Sequence, residues 1–335
     1  MVNFRRWLIT GGCGFIGRTL IHQLQNSGAA QSIRVLDNLS GGTADDLGAI
    51  TKFTINDEES STWRDGVELF IGDILDKSSV ERSVKGADVV VHLAANTGVQ
   101  PSIKNPRFDL DTNVVGTFNL LEASREAKVR KFIFASSGAP IGNSPPPFTE
   151  TSPCKPISPY GASKLAGEAY CSAYQGSFGL ETYALRFSNV YGPHSGKKGS
   201  VVAKFLSQIF NGECWQVNGS GTQTRDFIFS EDLVDAIIQA ATYAQEGGLY
   251  QVATSEETTI NSLIELLSKI LEDNNIAVPK VVYGEHLPGD VPRNYADIRK
   301  SRLGLQWEPR TPLEVGLRKT VDWFVENNAN DRVCQ

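Results

Sequence analysis

The glycine-rich segment between the first predicted strand and the first predicted helix is the strongest constraint on the fold. Residues 8–20, LITGGCGFIGRTL, place Gly11, Gly14 and Gly17 between an apolar run and a helical pattern. Glycines at such a junction allow a tight turn, close approach of a pyrophosphate and close packing of helix on strand. The amino end of the helix adds a positive dipole end. The segment predicts a dinucleotide site, with a glycine turn that binds nothing as the alternative.

An acidic residue at the end of the second predicted strand supports the dinucleotide prediction. Asp37 lies 20 residues after Gly17, where a carboxylate can accept hydrogen bonds from the adenosine ribose. Because a carboxylate repels a 2′-phosphate, NAD is favoured over NADP. Residues that end the next strands could contact adenine or line the cleft, although each alone also fits an ordinary strand end. The predicted cofactor residues are Gly11, Gly14, Phe15, Ile16, Gly17, Asp37, Asn38, Asp73, Ile74, Ala94 and Ala95.

Short apolar runs alternate with helical patterns through the first half of the chain. Most of the runs are continuously apolar, which suits strands that are covered on both faces. Such alternation predicts an α/β fold, a Rossmann-type doubly wound parallel sheet. Strands are predicted at 6–10, 33–37, 67–71, 88–94, 131–136 and 181–187, and helices at 15–27, 77–85, 108–127 and 159–176.

The pattern becomes less regular after about residue 190. Longer helical stretches there alternate with short strand candidates and glycine-containing turns. We therefore expect an NAD-binding domain over 1–188 and a smaller C-terminal α/β substrate lobe over 189–335. The helices of this lobe are predicted at 200–211, 231–245, 260–273 and 313–327, and its strands at 214–217, 249–252 and 280–283.

Composition excludes several classes of partner. The net charge of −6 leaves no basic stripe for nucleic acid or a membrane surface. No run approaches the roughly 18 apolar residues of a membrane span. Five scattered cysteines without a C-x-x-C pattern favour reduced thiols, and hence a cytoplasmic protein. The four histidines are too far apart for ligand spacing, so no metal site is predicted.

A second informative segment is SPYGASK, residues 158–164. Ser158 suits the N-cap of a helix and Pro159 its first position. Tyr160 then lies in the first turn, with Lys164 one turn later on the same face. The ammonium group and the helix dipole both stabilise phenolate, so we expect the tyrosine pKa to fall from ~10 toward that of a general base. This spacing also occurs by chance, so the prediction depends on the preceding dinucleotide segment.

Matching segments in the same order span nearly the whole chain. The sequence thereby resembles the extended short-chain dehydrogenases/reductases, specifically the NAD-dependent sugar-nucleotide epimerase/dehydratase group. The resemblance is specific for the family and much less specific for the substrate. The segments are TGGCGFIG (10–17), GDI (72–74), HLAA (92–95), Asn113 in DTNVVGTFNLLEA, SS (136–137), YGASK (160–164), RFSNVYGP (186–193), GSGTQTRDFIF (219–229) and PGDVPRNYAD (288–297).

The resemblance implies a role for each matching residue. Tyr160 would be the acid/base, Ser137 the hydroxyl that hydrogen-bonds the sugar oxygen, and Lys164 the group that binds the nicotinamide ribose and tunes the tyrosine. Asn113, Tyr160 and Lys164 join the cofactor residues. Asn189 and Arg225 would bind the sugar-nucleotide diphosphate.

Both diphosphate candidates have structural alternatives. Asn189 could instead stabilise a turn. Arg225 could instead pair with the neighbouring Asp226.

The residues after Ser137 bear on the reaction. Relatives that resemble 4,6-dehydratases carry an Asp-Glu pair there, and decarboxylases tend to carry a glutamate. Gly138 and Ala139 cannot transfer protons, which disfavours dehydration and decarboxylation. We therefore predict epimerisation at C4 of a UDP-sugar through a 4-keto intermediate with bound NAD. The alternatives are a nucleotide-sugar reductase, dehydratase or decarboxylase of the family, and a non-catalytic NAD-binding protein.

Departures from the family pattern leave the sugar open. Pro140-Ile141 replaces the usual Val-Tyr. His286-Leu287 stands where many relatives carry an arginine toward the diphosphate, and Arg293 is the candidate replacement. Asn294 occupies a position where size helps to select the sugar, so hexoses, hexuronates and N-acetylhexosamines all remain. The predicted substrate residues are Ser137, Gly138, Asn189, Arg225, Arg293 and Asn294.

The resemblance also implies an assembly. The helices predicted at 108–127 and 159–176 carry apolar residues of the kind that relatives use in a four-helix dimer interface. A homodimer is therefore expected, with packing of these residues on the sheet as the alternative.

Overall fold

The structure is a computed structural model that describes residues 4–56, 62–286 and 289–333. Its first half runs β1 (Arg6–Thr10), α1 (Phe15–Ser27), β2 (Ser32–Asp37), α2 (Ala44–Gly48), β3 (Phe53–Ile55), β4 (Gly66–Ile71), α3 (Lys77–Val84), β5 (Val89–His92), α4 (Val99–Lys104), α5 (Pro106–Leu110), a π-helical turn (Asp111–Val115), α6 (Gly116–Glu126), β6 (Lys131–Ser137), α7 (Pro159–Phe178) and β7 (Glu181–Phe187). The remainder comprises β8 (Asn189–Tyr191), α8 (Val201–Phe210), β9 (Trp215–Asn218), β10 (Thr224–Arg225), β11 (Phe227–Phe229), α9 (Ser230–Thr242), β12 (Gly248–Val252), β13 (Thr258–Thr259), α10 (Ile260–Asp273), β14 (Val281–Gly284), α11 (Arg299–Gly304) and α12 (Leu313–Val333).

The large sheet confirms the predicted Rossmann-type architecture. Its strand order is β12-β7-β6-β5-β1-β2-β4-β3, and every pairing is parallel. One apolar core includes side chains of α1 and α9, and a second includes side chains of α3, α6 and α7. The apolar runs are therefore covered on both sides. Because the strand order reverses between β1 and β5, a ligand crevice is expected at their carboxyl ends.

The eighth strand of this sheet differs from the sequence-based expectation. The pattern places residues 249–252 in the smaller lobe, yet β12 pairs with β7 from Gly248↔Tyr183 to Val252↔Phe187. The helix before it, α9, packs into the same core as α1. Strand pairing depends on contacts between distant segments, which local periodicity does not report.

The helix predicted at 108–127 is interrupted. It consists of α5, the π-helical turn and α6, and α4 precedes it without having been predicted. The turn carries Asn113, which is almost fully buried. Such single π-helical turns occur frequently at functional sites.

Residues that follow β7 build a third apolar core, for which the term smaller lobe is kept. It is formed by α8, α10 and α12 with aromatic residues of the short strands. Parallel pairs join β8 with β11 and β9 with β14, and β10 pairs antiparallel with β13. Within the ranges that the structure describes, no helix has the length and apolar character that a membrane crossing requires.

Candidate active site

The glycine turn after β1 closely approaches the loop after β5. Gly11 has a φ of +70°, and a Cβ built on it would lie 2.7 Å from the Ala94 amide nitrogen. A Cβ on Gly17 would lie 2.6 Å from the Gly11 carbonyl oxygen. The N-cap of α1, Gly14, makes no side-chain capping bond, so the helix end is free of a competing acceptor from its own cap. Phe15 and Ile16 begin α1 half-buried. This turn has the shape and polarity that a dinucleotide diphosphate requires.

The ends of β2 and β4 carry the predicted adenosine residues. Asp37 is buried, and its two carboxylate oxygens accept from the amides of Cys13 at 2.9 Å and Leu39 at 2.8 Å. Burial raises the pKa of Asp37. Each oxygen retains a lone pair that could accept from a ribose hydroxyl. Asn38 Nδ2 donates to Asp73 Oδ2 at 2.9 Å, which joins the two strand ends.

The loop after β5 is held by the buried amide of Asn113. Its Oδ1 accepts from the Asn96 amide at 2.8 Å, and its Nδ2 lies 3.0 Å from the Asn96 carbonyl oxygen. The same Nδ2 donates to Asp109 Oδ1 at 3.0 Å and to Ser163 Oγ at 3.1 Å. Asn113 therefore holds the loop that follows half-buried Ala94 and Ala95.

Ile74, the remaining predicted cofactor residue, packs against α6. The side chain of Ile74 is buried, and a Cβ on Gly116 of α6 would lie 2.5 Å from its Cδ1. The contact fits Ile74 as a wall of the crevice.

The structure brings Ser137, Tyr160 and Lys164 together at the carboxyl end of β6. Ser137 is the last residue of β6, and its Oγ accepts from the Ala139 amide at 3.2 Å. The predicted N-cap is confirmed, since Ser158 Oγ accepts from the Gly161 amide at 3.1 Å. Lys164 Nζ lies 5.9 Å from the centre of the Tyr160 ring, and its side chain is almost fully buried.

The expectation of a lowered tyrosine pKa is wrong for this structure. Burial raises the pKa of Tyr160 to about 12, and a hydrogen bond from Ser137 offsets only part of that effect. Burial also lowers the pKa of Lys164 to about 8. Desolvation disfavours both charged forms, the phenolate and the ammonium.

A buried ion pair behind the site was missed by sequence reasoning. Arg186 donates to Glu168 through Nε at 2.8 Å and through Nη2 at 2.7 Å, and the side chains are 1% and 7% exposed. Ser136 Oγ donates to Glu168 Oε1 at 2.5 Å. The signal was the position of Glu168, one turn after Lys164 on the same helix face. These bonds tie β6, α7 and β7 together, so Ser136 supports the position of Ser137.

The residues after Ser137 divide between cleft and core. A Cβ on Gly138 would lie 3.6 Å from the side-chain amide of Asn294, which brings these two predicted substrate residues together. Pro140 is buried, and Ile141 is fully buried in the core cluster that includes Phe148. The Pro-Ile pair thus fills core positions, where an apolar isoleucine is the suitable residue.

Arg225 lies on the smaller lobe and is held by the loop around residue 290. Its Nη1 donates to the Val291 carbonyl at 2.9 Å, and its Nη2 forms an ion pair with Asp290. The alternative pairing with Asp226 is not observed, because that buried carboxylate accepts from the amides of Thr254 at 2.8 Å and Ser255 at 3.0 Å.

The remaining predicted diphosphate residues already have protein partners. Asn189 Nδ2 donates to the Asp226 carbonyl at 3.2 Å, as a turn-stabilising residue does. Arg293 makes two bonds of 2.7 Å to the Glu257 carboxylate. A Cβ built on Gly219 would lie 2.4 Å from His286 Cε1, so the imidazole packs against this glycine. Leu287 lies outside the described residues.

These features define the class of protein. A parallel sheet with a glycine turn, an acidic residue after β2 and a Ser–Tyr–Lys group at the end of β6 is a Rossmann-type dinucleotide-binding fold. Residues 7–253 match the NAD dependent epimerase/dehydratase family, and the chain belongs to that family. No group of metal-ligating side chains occurs in the part of the chain that the structure describes.

Similar proteins carry out more than one reaction. The chain is 35% identical over 331 residues to a UDP-glucose 4-epimerase of Mycolicibacterium smegmatis, covering 95% of this chain and 98% of the relative. It is 31% identical over 332 residues to the human dTDP-D-glucose 4,6-dehydratase, covering 97% and 91%. The crystal structure of a UDP-glucuronic acid 4-epimerase from Bacillus cereus, in complex with UDP-glucuronic acid and NAD, aligns with a TM-score of 0.85 at 28% identity, covering 96% and 99%. Family membership alone therefore does not select the reaction.

Proposed function

We propose that the protein is an NAD-dependent UDP-sugar 4-epimerase. The observation that carries the proposal is the composition of the β6 end: Tyr160 and Lys164 lie beside Ser137, followed by Gly138 and Ala139. One acid/base group is sufficient for oxidation and re-reduction at a single carbon. Dehydration requires an additional acid and base, and neither glycine nor alanine can act as one.

The proposed reaction removes and restores one hydrogen at C4. When bound, NAD would accept the C4 hydride and return it, and its positively charged ring would favour phenolate nearby. Tyr160 takes the proton from the O4 hydroxyl, and Ser137 hydrogen-bonds the same oxygen. The 4-keto sugar then turns and presents its other face, so the epimer forms when C4 regains the hydride on that face and Tyr160 returns the proton to O4. Since the cycle is redox-neutral, the cofactor stays bound.

Several features support the cofactor and the sugar pocket. The glycine turn and Asp37 fit NAD, whereas the carboxylate would repel the 2′-phosphate of NADP. The absence of a side chain at Gly138, beside Asn294, and the small side chain of Ala139 are compatible with a hexose, a hexuronate or an N-acetylhexosamine. The four described cysteines are free thiols, which agrees with the predicted cytoplasmic setting.

The proposal is tested by following the cofactor and the product together. The purified protein is denatured and its released NAD is measured. The native protein is then incubated separately with UDP-glucose, UDP-glucuronate and UDP-N-acetylglucosamine. We expect about one NAD per chain and a new 4-epimer from at least one sugar. Net consumption of NADPH without an epimer would support a reductase, loss of water from the sugar a dehydratase, and no turnover a non-catalytic binder.

Arg225 rather than Arg293 is the proposed diphosphate ligand. Loss of a charge-assisted hydrogen bond of about 1.5–3 kcal/mol weakens binding by about 10- to 100-fold. We expect that change in the Kd for UDP from Arg225→Ala, measured by calorimetry, with unchanged NAD content. Arg293→Ala is the comparison variant. Each arginine has a carboxylate partner, Asp290 or Glu257, but the Arg293 side chain is 53% exposed and that of Arg225 is 12% exposed. A larger loss from Arg293→Ala would transfer the role to Arg293.

We also propose a homodimer through the outer face of α5, α6 and α7. This face exposes aromatic side chains that a monomer would leave in water. Light scattering should give a molar mass of two chains, and Phe118→Glu should reduce it to one. A wild-type mass of one chain would refute the assembly. The exposed residues are Phe108, Phe118, Tyr170 and Phe178.

A further inference from the structure

Asp109 of α5 is a buried carboxylate that the proposed reaction does not yet use. It is 1% exposed. Its Oδ1 accepts from Asn96 Nδ2 at 3.2 Å and from Asn113 Nδ2 at 3.0 Å. Its Oδ2 is buried without a hydrogen-bond partner, and no ion pair to Asp109 occurs among the described residues. Burial of an ionised carboxylate is costly unless a nearby positive charge compensates.

The surroundings of Asp109 point to Lys164 as that positive charge. Asn113 Nδ2, which donates to Asp109, also donates at 3.1 Å to Ser163 Oγ, the residue before Lys164 on α7. Burial lowers the pKa of Lys164 and raises that of Tyr160; the charge of Asp109 opposes the first effect and adds to the second. Lys164 itself is almost fully buried. The carboxylate thus lies within electrostatic range of both groups of the acid/base pair.

The other titratable groups that face Lys164 among the described residues are either paired or neutral, so they do not balance its charge. On α7, Glu168 also carries a negative charge, but Arg186 already neutralises it through two hydrogen bonds. Cys171 is buried in an apolar cluster, and its burial raises the pKa of the thiol, so it stays neutral. On β5, burial lowers the pKa of His92 to about 3, so it is also neutral.

We propose that Asp109 is a positioning residue of the acid/base pair: it supplies the unshared negative charge that balances Lys164, and it holds the Asn96 loop and Asn113 in place. The inference rests on the proposed function, because it assigns a charge to the pair that function uses. Asp109 acts through Lys164 and Tyr160, and no contact with the sugar is required of it.

The neutral variant Asp109→Asn should move the pH profile of the NAD-loaded enzyme toward acid. Removal of the negative charge lowers the pKa of Lys164, so activity that needs the ammonium is lost at a lower pH. The same removal lowers the pKa of Tyr160, so phenolate also forms at a lower pH. Both limbs of kcat against pH should therefore shift down by about one unit. A purely structural residue would change the height of the profile and leave its limbs in place.

A readout independent of turnover accompanies the profile. Phenolate absorbance in the near ultraviolet, taken as the difference between each protein and its Tyr160→Phe counterpart, titrates this one tyrosine. Its apparent pKa should fall by about one unit in Asp109→Asn.

Three comparisons make the test decisive. Asp109→Glu keeps the charge and should keep the limbs near their wild-type positions. Asp111→Asn makes the same change two residues on, at a partly exposed carboxylate paired with exposed Arg107, and should alter neither readout. Asp109→Ser, which can still accept from Asn113, replaces Asp109→Asn if the latter does not fold.

The possible failures can be told apart. Unshifted limbs and an unshifted phenolate titration in folded Asp109→Asn would overturn the inference and leave the 4-epimerase proposal standing. Full turnover in Tyr160→Phe would overturn the proposed function itself.

Discussion

Tyr160→Phe is expected to lower kcat by about 10²- to 10⁴-fold, the range that general acid–base catalysis contributes. The substitution removes only the hydroxyl that exchanges a proton with O4 in the proposed reaction. The ring and its position over the buried Lys164 remain, so NAD content should equal that of the wild type. Turnover is measured as epimer formed per chain at saturating sugar nucleotide.

Tyr170→Phe is the matched control. It makes the same change on the same helix, at a side chain that is 40% exposed. It should retain wild-type turnover and NAD content. Retention of full activity by Tyr160→Phe would exclude the tyrosine as the acid/base, and loss of bound NAD would show a cofactor defect instead.

Gly11→Ala is expected to weaken NAD binding by about 5- to 150-fold, which corresponds to backbone strain of about 1–3 kcal/mol. Gly11 has a φ of +70°, and the added methyl would meet the Ala94 backbone at 2.7 Å. Neither the positive φ of Gly11 nor the position of the Ala94 backbone can change without a cost in free energy. The variant should be purified largely without NAD, and calorimetry with added NAD gives the affinity.

Gly41→Ala is the control for this substitution. A Cβ on Gly41 would have nothing within 4 Å, and its φ lies outside the left-handed range. It should retain NAD like the wild type. Equal retention by Gly11→Ala would mean that the β1 turn is not the dinucleotide site.

The parts of the site that depend on local sequence could be predicted. The glycine turn, the strand end at Asp37 and the Ser158 cap of α7 each arise from residues a few positions apart. One helical turn also fixes the relation of Tyr160 to Lys164. The doubly wound sheet followed from continuous apolar runs alternating with helices.

The parts that depend on distant contacts could not be predicted. The raised pKa of Tyr160 is an effect of burial, which no spacing between residues reports. The partner of Arg225 is Asp290, 65 residues away, rather than the adjacent Asp226. Asp109 fell inside a predicted helix and was given no role. The available signal was its position four residues before Asn113, which puts both residues on one helix face.

The return of the chain to the large sheet limits how this enzyme can be recombined with others. A specificity chimera spliced at residue 188 would exchange the loops that we propose bind the sugar, but also α9 and β12, an edge strand that pairs along five residues of β7. The hybrid would then have to pair a foreign strand with β7 in the native register and also form a foreign pocket. Cassettes that begin after β7 and end before α9, with a second exchange after β12, would leave all eight strands of the native sheet in place. Substrate range and cofactor scaffold are thus separable only as interleaved segments of sequence.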